Sequence, residues 1–135
     1  MPTTDPAGAM LPRNFVRPCL LLLLREQPAH GYELLERMQV FGFDGSDPGN
    51  LYRALRLLEE AGMVRSAWER SSTGPDRRIY ELTRAGMEEL HSSAKSLLAG
   101  SEILRTFLSR YQEFVTLRPD AARAPTLGRA GAETA

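Results

Sequence analysis

Nine positions between Met87 and Val115, spaced alternately by three and four, restrict the folds open to this chain more than any other feature. They are Met87, Leu90, Ala94, Leu97, Ser101, Leu104, Leu108, Tyr111 and Val115, and eight of the nine are apolar or aromatic. The spacing predicts one helix carrying a heptad-like seam roughly 45 Å long. A chain of 135 residues makes one compact domain plus tails, and so small a domain cannot cover a stripe of that length. Self-association along this helix is the economical outcome, with Leu97, Leu104, Leu108, Tyr111 and Val115 in the contact. The alternative is a helix folded back to complete its own core. Leu98, Ile103, Phe107 and Phe114 widen the apolar surface beyond a single seam and favour the dimer.

Upstream of the seam, Pro and Gly punctuate a regular order of elements. A first helix is expected over Phe15 to Glu26, with Asn14 as its cap and Pro18 tolerated in the first turn, where amides lack an intrahelical acceptor. After Gln27-Pro28-Ala29-His30, a second helix runs from Gly31 to about Phe41, with Leu34, Leu35, Met38 and Phe41 on one face. Gly42 to Ser46 reads as a turn. Asp47-Pro48 then supplies an N-cap followed by proline at the first helical position, and Gly62 a C-cap, which bound a third helix over Pro48 to about Ala61. Its Leu51, Ala54, Leu55 and Leu58 form one apolar stripe. Two β-prone runs, Met63 to Glu69 and Arg77 to Leu82, flank a loop rich in Ser, Gly, Pro and Asp and make a hairpin.

The expected fold is therefore mainly α with a small β-hairpin wing: a winged helix-turn-helix domain over residues 13–83 and a long C-terminal dimerisation helix over 84–117. Residues 1–12 and 118–135, rich in Pro, Ala, Gly and Thr without apolar periodicity, are expected to be disordered tails.

Several function classes are disfavoured. The longest apolar run, Cys19 to Leu24, is far shorter than the roughly 20 residues that span a bilayer. No basic residue precedes a hydrophobic stretch in Met1 to Leu11, so a cytoplasmic protein without a secretory signal is expected. One cysteine, Cys19, rules out an intramolecular disulfide and a multi-thiolate metal site. His30 and His91 lie on different expected elements without ligand spacing, and Gly74-Pro75 does not open a helix as a phosphate loop would. No catalytic group, metal or cofactor is expected, and the chain does not read as an enzyme.

Duplex DNA suits the element order, because a helix fits the major groove and a flexible basic hairpin loop reaches phosphates or the minor groove beside it. A net charge of zero removes bulk electrostatics from the argument. Placement carries it: Asn50, Tyr52, Arg53 and Arg56 lie on the outward side of the third helix, and Arg70, Arg77 and Arg78 lie in and beside the wing loop. The competing reading is a solvated helix face with Arg56 paired to Glu60. A winged-helix module that docks another protein without touching DNA is the alternative function.

These residues resemble the PadR family of transcriptional regulators. The likeness rests on Leu21-Leu22-Leu23-Leu24 before His30-Gly31-Tyr32-Glu33-Leu34, on Gly49-Asn50-Leu51-Tyr52-Arg53-Ala54-Leu55, and on Leu58-Glu59-Glu60-Ala61-Gly62-Met63-Val64. It continues through Gly74-Pro75-Asp76-Arg77-Arg78-Ile79-Tyr80-Glu81-Leu82-Thr83-Arg84-Ala85-Gly86. The resemblance implies a homodimer on double-stranded DNA, with contacts at Asn50, Tyr52 and Arg53 and from Gly74 to Arg78 in the wing. A single C-terminal helix resembles the family's short branch. Members are often repressors relieved by small ligands, which implies a repressor on a palindromic operator. A small apolar or aromatic effector would be lined by Phe15, Phe107, Tyr111 and Phe114, between the winged helix and the C-terminal helices of the two subunits.

Overall fold

The computed structural model describes residues 10–117, so residues 1–9 of the expected tail at 1–12, and all of the expected tail at 118–135, lie outside the described residues. The chain divides between Ala94 and Lys95 into two compact units.

In the first unit, helix α1 (Val16–Glu26) follows from the apolar run, which buries Val16, Cys19, Leu20, Leu21, Leu23 and Leu24. Asn14 is not its cap: no side chain caps this helix, and Asn14 instead takes the left-handed conformation, φ 57°, its carbonyl accepting from Arg17 N at 3.0 Å. Asn tolerates that region better than most residues. Strand β1 (Ala29–His30) lies where a simple break was expected, and helix α2 (Gly31–Arg37) begins directly after it. The helix does not stay α-helical to Phe41. It tightens into a 3-10 turn over Met38–Phe41, and Gly42 at φ 93° ends it.

Helix α3 (Pro48–Glu60) starts as its sequence dictates, with the Asp47 carboxylate accepting from Asn50 N at 3.2 Å and Pro48 at the first position. At its other end Gly62 is left-handed, φ 79°. Gly62 N donates to Glu59 O at 3.0 Å and Met63 N to Leu58 O at 2.9 Å, the paired bonds of a Schellman cap. Strands β2 (Val64–Glu69) and β3 (Arg77–Leu82) form the hairpin in the register Val64 with Leu82 through Glu69 with Arg77. β3 is central in the antiparallel order β1-β3-β2, with Ala29 opposite Tyr80 and His30 opposite Ile79.

The apolar stripes of α1, α2 and α3 meet Ala29, Val64 and Tyr80 in one core, in which Leu20, Leu34, Leu55 and Leu58 are fully enclosed. Among the described residues no polar or charged side chain is buried there. Helix α4 (Arg84–Leu117) is a single helix of 34 residues, about 50 Å long. Thr83 starts it, accepting from Gly86 N at 3.1 Å and donating to Gly62 O at 2.6 Å. Mostly helical, with a three-stranded antiparallel wing and a long C-terminal helix, the chain has the expected winged-helix class.

Candidate nucleic-acid interface

Burying Leu51, Ala54, Leu55 and Leu58 turns the other side of α3 to solvent. Tyr52, Arg53 and Arg56 are exposed there, and Asn50 is half-buried at the first turn. Arg53 Nη1 reaches Asn50 Oδ1 at 3.5 Å, a bond at the long limit, so a guanidinium and a carboxamide lie together near the N-terminal end of the helix. Both are suited to paired contacts with base edges. Glu60 is exposed at the far end, and no ion pair joins it to Arg56 among the described residues.

The wing carries its basic groups differently. Its loop is pinned by Asp76, whose carboxylate accepts from Ser71 N at 3.2 Å, while Gly74 is exposed at the bend. Arg77 and Arg78 follow as neighbours on a strand, so they point to opposite faces. Arg77 Nη1 donates to the Tyr32 hydroxyl of α2 at 3.0 Å, with its guanidinium 5.6 Å from the Tyr32 ring centroid. Arg78 Nε donates to Ser66 Oγ at 2.8 Å, its guanidinium lies 5.1 Å from the Trp68 ring centroid, and Nη2 is 3.9 Å from Glu59 Oε2. Ser66 Oγ in turn donates to Glu59 at 2.7 Å.

Trp68 is 65% exposed and serves as the platform under Arg78. Directly opposite each other in the register, the two side chains share a face. Glu59 accepts from the Ser66 hydroxyl and lies beside Arg78.

Sequence reasoning missed the long-range ties made at the start of α2. His30 caps that helix, with Nδ1 2.9 Å from Glu33 Oε1 and Nε2 2.7 Å from Glu69 Oε1, and its ring stacks on Tyr32 at 5.4 Å and 12°. Glu69 is 39 residues away, beyond any local signal. The Glu69 and Glu33 carboxylates hold the imidazole above its ordinary value, against a smaller opposing effect of burial.

Phe15 belongs to the first unit, where its ring packs edge-on to Phe41 and stacked on Phe43, both at 6.4 Å. Phe107, Tyr111 and Phe114 belong to the second unit and are exposed on the single chain, as are Leu104 and Leu108, while Leu97 and Val115 are half-buried. Among the described residues no cluster of His, Cys, Asp and Glu could hold a metal ion, and no helix is long and apolar enough to cross a membrane.

Comparison with known proteins bears on this geometry directly. The profile of the transcriptional regulator PadR-like family matches residues 20–92, from within α1 to the first turns of α4. A PadR-like transcriptional regulator from Bacillus cereus is similar at 26% identity and TM-score 0.62, over 69% of this chain and 90% of that one. A putative transcriptional regulator from Thermoplasma acidophilum is 29% identical at TM-score 0.58, over 70% and 90%. A conserved protein of unknown function, described as a potential transcriptional factor, is 30% identical at TM-score 0.65, over 86% of this chain and 99% of its own. No curated protein matches the chain.

Proposed function

This chain belongs to the transcriptional regulator PadR-like family, and from that premise we propose that it is a repressor that binds a palindromic operator as a homodimer. The observation that carries the reading is the placement of basic and amide side chains. Asn50, Tyr52, Arg53 and Arg56 occupy the outward side of α3, and Arg77 and Arg78 flank the wing loop. A helix with that outward face reads base edges from the major groove, while the wing, with Gly74 at its bend, follows the backbone. Residues 13–83 form the DNA-binding domain in this reading. Residues 84–117 form the dimerisation helix, through Leu97, Leu104, Leu108, Tyr111 and Val115. Two-fold symmetry then sets two recognition helices on half-sites about one DNA turn apart.

A small apolar or aromatic effector relieves the repression. The protein acts in the cytoplasm, beside the chromosome. Titration of the full chain against a duplex spanning the region upstream of its own reading frame tests the reading. With roughly six to ten phosphate contacts, affinity falls about 10³- to 10⁵-fold between 50 and 200 mM salt. Absence of saturable binding to any duplex would overturn the regulator and leave the protein-docking alternative.

A further inference from the structure

The wing loop leaves the sheet between Glu69 and Arg77, which are direct partners in the register. Both sides of that mouth are tied to the first residues of α2. Glu69 Oε1 meets His30 Nε2 at 2.7 Å, and Arg77 Nη1 donates to the Tyr32 hydroxyl at 3.0 Å. His30 and Tyr32 are themselves stacked at 5.4 Å, so the four side chains close a ring from strand to helix and back. The His30 side chain is only 13% exposed, and its other nitrogen, Nδ1, lies 2.9 Å from Glu33 Oε1. A carboxylate oxygen only accepts. An imidazole with one at each nitrogen satisfies both only when both nitrogens carry a proton, as the imidazolium.

We propose that His30 and Tyr32 are positioning residues that clamp the mouth of the wing and aim Arg77 at the DNA backbone, and that the clamp is whole only while His30 is an imidazolium. The proposal rests on the DNA-binding reading. It gives the N-cap of α2 and the helix's second residue a role in DNA affinity that needs no DNA contact of their own. The groups facing His30 are Tyr32 and Glu33 from α2, Glu69 from β2 and Arg77, through Tyr32, from β3; Ile79 opposite its backbone brings no charge. Arg37, farther along α2, acts on the Glu33 carboxylate. The carboxylates at its two ring nitrogens favour the charged ring, in keeping with its raised proton affinity. The clamp is therefore complete below the ordinary histidine range and is lost as pH rises through the higher value of the folded protein.

The test combines imidazole NMR titration with DNA binding of the full chain as a function of pH. His91 is the only other histidine, so His91→Gln assigns the His30 signal. Glu69→Gln is expected to lower both the His30 midpoint and the pH at which affinity for the upstream duplex declines. Tyr32→Phe keeps the ring stack and removes the hydroxyl. It and Arg77→Ala should each weaken binding roughly two- to tenfold, and the double variant should bind no worse than Arg77→Ala alone. An unchanged pH profile in Glu69→Gln, additive losses in the double variant, or wild-type affinity in Arg77→Ala would each overturn the clamp. Wild-type protein that titrates as expected yet binds no duplex overturns the DNA-binding reading, and the clamp's role with it, although the clamp's ionisation has then been seen.

Discussion

Tyr52 of α3 lies so close to Gly31, the first residue of α2, that a Cβ on Gly31 would stand 2.5 Å from Tyr52 Cε1 and 2.9 Å from its hydroxyl oxygen. The glycine is thus a packing requirement of the outward face of α3. What it meets is the far end of a side chain that can swing. Gly86 is the instructive contrast, because a Cβ there would collide with the Met63 backbone carbonyl and reach Leu82 Cδ1 at 2.5 Å. Gly31→Ala should cost about 1 kcal/mol and Gly86→Ala about 3 kcal/mol, the two ends of the overpacking range. Urea unfolding measures both, and Tyr52→Ala should restore the stability lost in Gly31→Ala. If Gly31→Ala proved the more damaging, the Tyr52 ring would be more rigidly held than this packing implies.

Cys19 supplies an internal reporter of the core. It is 3% exposed within α1, and burial pushes its thiol up from 9.0 to about 12. A raised acid favours the native state below the ordinary thiol value, and that contribution fades as pH climbs toward the folded one. At pH 8 the thiol should therefore react with a disulfide reagent only as fast as the domain opens, and the reacted fraction should follow the unfolding transition in urea. Immediate stoichiometric reaction in buffer would mean that α1 is not packed as described.

The arginines on α3 and on the wing should differ in what they lose. Arg53 is exposed and tied only by a long contact to Asn50 among the described residues, so it is free to meet a base edge. Arg78 is held by Ser66, Trp68 and Glu59 and presents a fixed charge. Arg53→Ala should weaken operator binding by about 1–3 kcal/mol and random DNA far less, whereas Arg78→Ala should weaken both alike and reduce the salt slope by about 1. Binding assays on cognate and scrambled duplexes at several salt concentrations separate the two. Equal losses on both duplexes for both variants would remove Arg53 from base readout.

What could be read in advance depended on whether the signal was local. Asp47-Pro48 and Gly62 bound α3 because a capping carboxylate, a proline without an amide and a left-handed glycine each act within a few residues. The seam of α4 was legible because a 3.6-residue period repeats over eight turns. β1 was not, since two residues show no period and it exists only by pairing with β3. Asn14 has the chemistry of a cap but takes a left-handed turn, which the residue type equally permits. The ties of His30 to Glu69 and of Arg77 to Tyr32 span 39 and 45 residues and depend on where the wing folds back. The hairpin register alone puts Trp68 opposite Arg78, so that pairing follows once the turn is placed.

The proposed dimer makes the sharpest demand on the second unit. On the single chain Leu104 is 57% exposed, Leu108 56% and Phe107 64%, consecutive turns of one helix carrying large apolar groups in water. Such a surface is the usual mark of an interface. Leu104→Glu with Leu108→Glu puts two like charges per chain into the proposed seam, where desolvation and repulsion both oppose pairing. Among the described residues the buried apolar core lies within Val16–Tyr80, so the winged helix should stay folded by circular dichroism. Light scattering should then give the mass of one chain in place of two. Affinity for a palindromic operator should fall much further than affinity for an isolated half-site, because the second recognition helix no longer arrives at the high local concentration that the link to the first provides. If the double variant remained a dimer, the interface would have to be sought outside the Leu104–Leu108 stripe.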